Sequence, residues 1–161
     1  MSTHTKNLTT GLRSPLAVGS SLVTLAGFGL IGYGIIFLIR NFLGLIELGL
    51  SSENVGATPE QIQAFSPDLY HYISHVQVAA AGFIIGLGIA VVALAWFGIR
   101  SKYQWAIWTA FLASVVAVGI ALPLHYPWGF ATIGHLGLVY LDALLLMLGT
   151  VISYRALHTR S

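Results

Sequence analysis

The sequence predicts an all-α integral membrane protein: a four-helix transmembrane bundle, both termini cytoplasmic, with an outer loop that contains a short helix. Three observations carry this. Of the 161 residues, 57% are hydrophobic and only 7% charged, with a mean hydropathy of +0.84. An ordinary soluble domain is roughly 25% charged. The apolar residues fall into four long blocks. Finally, Lys6, Arg13, Arg100, Lys102, Arg155 and Arg160 collect on one side of those blocks and Arg40 alone on the other, which by the positive-inside rule puts both termini in the cytoplasm.

Length and composition exclude several classes. One domain is the natural count at this length, with nothing left over for a soluble catalytic domain. Cys is absent, which removes disulfides, Cys-ligated iron–sulfur clusters and thiol redox chemistry. A net charge of +2 without any basic cluster gives no nucleic-acid footprint. The first apolar block is long enough to span and is followed by no small-residue cleavage site, so secretory processing is not expected.

Met1–Ser14 is polar and expected to be mobile, and its Asn7-Leu8-Thr9 sequon falls on the cytoplasmic side. Pro15 can open a helix, because its missing N–H has no partner there anyway. The first helix covers about 16–39, free of charge; some 24 residues reach roughly 36 Å, enough for a hydrocarbon core of about 30 Å. Within it, Gly27-Phe28-Gly29-Leu30-Ile31-Gly32 satisfies G-x-G-x-x-G. The dinucleotide fingerprint needs a preceding strand; in mid-membrane, glycines instead let helices approach.

Phe42–Leu50 is too short to span and should lie at the interface or fold back on the bundle. Thr58-Pro59-Glu60 and Ser66-Pro67-Asp68 each supply a hydroxyl cap, a proline at the first helical position and an acid in the first turn. The first starts a short helix through Phe65 and the second a long helix over about 67–99. Gly82 and Gly86 form a GxxxG pair, expected as a close-packing face. The third and fourth helices cover about 105–124 and 130–154, joined by the His125–Gly129 turn. Trp96, Tyr103, Trp105, Trp108 and Tyr154 should mark the inner interface, and Tyr70, Tyr72, Tyr126 and Trp128 the outer.

Function is sought among polar residues near the outer leaflet. His71 and His75, spaced i, i+4, share a helix face with Ala79, Gly82 and Gly86. His135 lies about two turns into the fourth helix, at a depth similar to His75, while His125 in the turn should face water. His75 and His135, with His71 and His125 around them, are candidate cofactor-binding residues. Three chemistries fit: axial ligation of a haem b by His75 and His135, a bare metal ion held by several of these imidazoles, or a quinone site in which histidine hydrogen-bonds a carbonyl and relays a proton. The plain alternative is interfacial histidines bonded to headgroups, water or backbone carbonyls.

Asp142, near the middle of the fourth helix, is the candidate catalytic acid, since intramembrane carboxylates cost about 3 kcal/mol to insert and are functional by default. It shares a face with His135, about 10 Å away along the axis, so the two need another polar group between them. Either it relays protons below the histidines, or it bonds Ser114 or a carbonyl and holds helices together. Glu47 and Gln77 are weaker candidates, with Glu47 expected to face water or line a ligand entrance.

In size and layout the chain resembles several small four-helix membrane families, among them DoxX-like proteins and the haem-bearing anchors of respiratory complexes; no motif carries residues over. The expected function is a plasma-membrane subunit of an electron-transfer complex, binding haem b or quinone, with the lipid bilayer and other membrane subunits as partners. The alternatives are a cofactor-free accessory subunit and a small proton-coupled transporter that uses Asp142.

Overall fold

The computed structural model describes residues 14–159. Lys6, the Asn7 sequon, Arg13 and Arg160 lie outside them. The chain runs α1 (Pro15–Gly44), α2 (Ser52–Val55), α3 (Pro59–Phe65), α4 (Pro67–Ala93), a π-helical turn (Leu94–Ile99), α5 (Gln104–His125) and α6 (Ile133–His158). No strand occurs among the described residues. Pro15–Gly44, Pro67–Ile99, Gln104–His125 and Ile133–His158 are each long and apolar enough to cross a membrane.

The starts follow the expected chemistry. Ser14, Thr58 and Ser66 accept from Ala17 N, Gln61 N and Leu69 N, each ahead of a proline. Two boundaries differ from expectation. α1 passes Arg40 and Asn41 and stops at Leu45, which turns left-handed at φ 61°. Those two polar residues do not break the helix because each donates a side-chain hydrogen bond in place, although Asn41 Oδ1 is buried without a partner among the described residues. Arg40 Nε donates to Ile46 O (3.1 Å) and Asn41 Nδ2 to Ser74 Oγ (3.0 Å). α6 begins at Ile133 rather than 130, because Gly129 turns left-handed and Thr132 caps the helix through His135 N.

α1 is the central helix, packed along its length against α4 on one side and α6 on the other. Glycines permit both contacts. A Cβ at Gly27 would stand 2.9 Å from Val92 N and 3.0 Å from Gly88 O, and one at Gly88 would stand 2.7 Å from Gly27 O. Gly19 and Gly149 repeat this backbone approach between α1 and α6. Gly82 and Gly86, the expected packing pair, instead face outward with nothing against them. Their helix meets α1 through Ala81 and Gly88.

α5 packs mainly on the π turn and on α6. That turn ends at Arg100, whose guanidinium sits 3.5 Å from the centre of the Trp96 ring. It also donates to Ser20 Oγ (3.2 Å) and Ser21 Oγ (3.1 Å) of α1. This end of the bundle, which also carries the start of α1 and the end of α6, is the terminal end. The opposite one, bearing residues 45–66 and the His125–Thr132 turn, is the loop end.

Candidate functional site: a buried histidine under a strap

Past Leu45 the chain folds back over the loop end as a strap, residues 45–50. Every carbonyl from Leu45 to Gly49 accepts a hydrogen bond. Gln77 Nε2 donates to Leu45 O (2.8 Å), Arg40 Nε to Ile46 O (3.1 Å), Leu50 N to Glu47 O (3.2 Å), His135 Nδ1 to Leu48 O (2.8 Å) and Thr132 Oγ1 to Gly49 O (3.0 Å). Helices α1, α4 and α6 thus all hold the strap. Gly49, at φ +76°, lies so close to Gly134 and the His135 amide that a Cβ would collide with them. Glycine is required there twice over, by conformation and by space.

His135 is 2% exposed beneath this strap. A carbonyl only accepts, so the bond to Leu48 O fixes the ring proton on Nδ1. Nε2 then faces Glu47 Oε2 at 3.5 Å. A bare lone pair beside a carboxylate is repulsive, so the pair is stable when one proton lies between them, as neutral Glu47 donating or as an imidazolium. Burial pushes the Glu47 carboxyl above its ordinary range, and the neighbouring His135 and His125 pull it part of the way back.

This has a measurable consequence. A carboxyl with a raised folded-state pKa binds its proton more tightly when folded. Its stabilising contribution is therefore complete below the ordinary Glu value of about 4.3 and is lost as pH rises through the raised value. The thermal midpoint in micelles should fall with rising pH across that window, and Glu47→Gln should flatten the fall. An unchanged slope in the variant would assign it to another group.

His125, the last residue of α5, is half-buried and stacks on His135 with ring centres 5.2 Å apart. Its Nδ1 bonds Ala121 O at 2.9 Å. Nε2 has no protein partner among the described residues. Beyond it, Tyr126 and Trp128 are exposed, and Tyr126 Oη bonds Tyr140 Oη at 2.7 Å.

The histidine set therefore assembles differently from expectation. His135 finds His125 and Glu47; His71 and His75 are exposed on α4, whose inward face presents Ser74 and Gln77. The plain reading of a histidine bonded to a backbone carbonyl describes the Nδ1 side of His135. Among the described residues no group of three or more His, Asp or Glu side chains converges to hold a metal ion. Glu47, expected to face water, is 32% exposed and turned toward the histidine.

Asp142 is half-buried on α6, and its Oδ1 lies against Gly29 of α1. Ser114, one of the two partners open to it in a structural role, donates to Ala110 O (3.0 Å) within its own helix. The sequence reading did not single out Tyr33. It sits on α1 four residues past Gly29, half-buried, with its ring 6.3 Å from that of Phe37.

Comparison of the chain with protein-family models, curated proteins and solved structures gives no match.

Proposed function

We propose that this chain is a small integral membrane subunit of an electron-transfer complex that binds a quinone at its loop end. The observation that carries the reading is His125: a half-buried imidazole with one open nitrogen, stacked on a buried imidazole whose Nε2 lies 3.5 Å from the Glu47 carboxyl. A quinone carbonyl needs such a donor, and its reduction consumes two electrons and two protons. The electrons would come from a redox-active partner subunit; this chain contributes binding and protons. Quinone is favoured over haem b because both ring nitrogens of His135 already face protein groups, while His75 lies exposed on another helix. The excess of Lys and Arg at the terminal end supports cytoplasmic termini in the plasma membrane, with the site toward the outer leaflet.

The open strip of His75, Ala79, Gly82 and Gly86 favours a second reading, a cofactor-free accessory subunit that packs against a larger membrane partner. One experiment separates these. In nanodiscs, a short-chain ubiquinone should quench tryptophan fluorescence saturably, and His125→Ala should weaken binding about tenfold, the worth of one lost hydrogen bond. Non-saturable quenching would favour the accessory subunit. A Soret band lost in both His75→Ala and His135→Ala would restore haem ligation.

A further inference from the structure

We propose that the terminal end of the bundle holds one anionic phospholipid, its headgroup phosphate bound by Arg100 in the turn between α4 and α5. The site is independent of anything bound at the loop end.

Charge makes the first part of the argument. The acids of the chain are Glu47, Glu53, Glu60, Asp68 and Asp142. The first four lie on the strap, α2, α3 and the first turn of α4, and Asp142 lies within α6. The terminal end therefore has no Asp or Glu to pair with Arg100, Lys102 and Arg155. Its counter-anion must come from outside the chain, and a membrane surface supplies phosphate.

The Arg100 guanidinium is held as a preformed donor. It lies 3.5 Å from the centre of the Trp96 ring, Nε donates to Ser20 Oγ (3.2 Å) and Nη2 donates to Ser21 Oγ (3.1 Å). These acceptors are neutral, so the positive charge stays uncompensated. One edge of the fork is thereby used, and the Nη1–Nη2 edge has no acceptor among the described residues. That edge matches two oxygens of a phosphate. Ser20 gives its own proton to Ala17 O (3.0 Å). Ser21 is exposed and its hydroxyl proton has no acceptor among the described residues, which leaves a further donor beside the fork.

Two more observations point to a lipid. Trp96, Tyr103 and Trp105 are exposed around this turn, with the last two rings 6.2 Å apart, and such rings settle at headgroup level. Lys102, two residues past Arg100, is exposed and has φ 67°, the left-handed region that glycine enters freely and lysine does not. The turn is pinned by Lys102 N donating to Ile99 O (2.9 Å) and Tyr103 N to Gly98 O (3.1 Å). Glycine would suit that backbone better, so the lysine is explained by its charge rather than by the turn.

The test is native mass spectrometry of the protein released from neutral detergent micelles, titrated with phosphatidylglycerol or with phosphatidylcholine. One phosphatidylglycerol should be retained about tenfold more tightly than phosphatidylcholine. Arg100→Lys keeps the charge but loses the fork, and should weaken that retention about tenfold. Lys102→Gly should weaken it about fivefold while raising the melting temperature, because the left-handed residue is relieved. A purely structural lysine would not give these opposite signs. Equal retention of the two lipids overturns the site, and so does an Arg100→Lys variant that matches the parent protein. Should Arg100→Lys melt early, Lys102→Gly decides alone, and unchanged lipid retention in it overturns the proposal. Displacement of the lipid by inorganic phosphate overturns the lipid as occupant.

Discussion

Gly27→Leu should destabilise the bundle by about 3 kcal/mol or more, the upper range for overpacking a tight contact. The reason is that its neighbours are backbone. Val92 N and Gly88 O of α4 stand 2.9 and 3.0 Å from where the first side-chain atom would go. No rotamer change relieves that; α1 and α4 must separate, and the buried Val23, Ala26 and Val91 nearby would lose contacts with them. Gly32→Leu is the control, since nothing lies within 4 Å of a Cβ there. Helix loss on heating in detergent, followed by circular dichroism, should come much earlier in the first variant and hardly move in the second. Equal melting of the two would mean that the crossing is looser than its geometry implies. The same glycine run that imitates a nucleotide-binding fingerprint thus divides its residues between helix packing (Gly27), the seat of an acid (Gly29) and an open face (Gly32).

His135→Ala should cost about 3 kcal/mol. It orphans Leu48 O, leaves a cavity the size of an imidazole and strips Glu47 of its partner. The figure stays below the most severe buried-pair losses because Glu47 keeps 32% of its side chain exposed. His135→Asn separates the two roles of the ring. Its amide can reach Leu48 O from the Nδ1 position and should recover part of the stability. It offers no ring to stack on His125 and no nitrogen at the Nε2 position, so quinone binding should stay impaired. Denaturation in mixed micelles reads the first effect and the quinone fluorescence titration the second. Full recovery of both by asparagine would reduce His135 to a brace for the strap.

The spans were legible because they rest on local quantities. A stretch of hydrocarbon-length sequence without charge needs no knowledge of its neighbours, and Ser14-Pro15, Thr58-Pro59 and Ser66-Pro67 announce their own helix starts. The site was half legible. His135 stood out as a histidine inside an apolar helix, but its partners are set by contacts across the chain. Leu48 lies 87 positions away and acts through a carbonyl, a group every residue owns and no sequence pattern marks. The spacing of His71 and His75 gave a shared face without saying what that face meets, and Gly82 and Gly86 below them meet nothing.

The mooring of Arg100 bears on which bilayer suits the protein. With its guanidinium tied to Trp96, Ser20 and Ser21, the lower end of α4 cannot slide to relieve a length mismatch. From Pro67 to Ile99 the helix has 33 residues, roughly 50 Å at the α-helical rise, against a hydrocarbon core of about 30 Å. With the charged Arg100 kept at the membrane boundary, the surplus emerges at the loop end, and it includes His71 and His75. In a bilayer a few Å thicker, His75 is the first exposed polar side chain to be drawn into hydrocarbon. Mismatch costs fractions of a kcal/mol per Å, enough to sort proteins between membranes. The distance from Arg100 to His75 is in that sense a built-in gauge of membrane thickness.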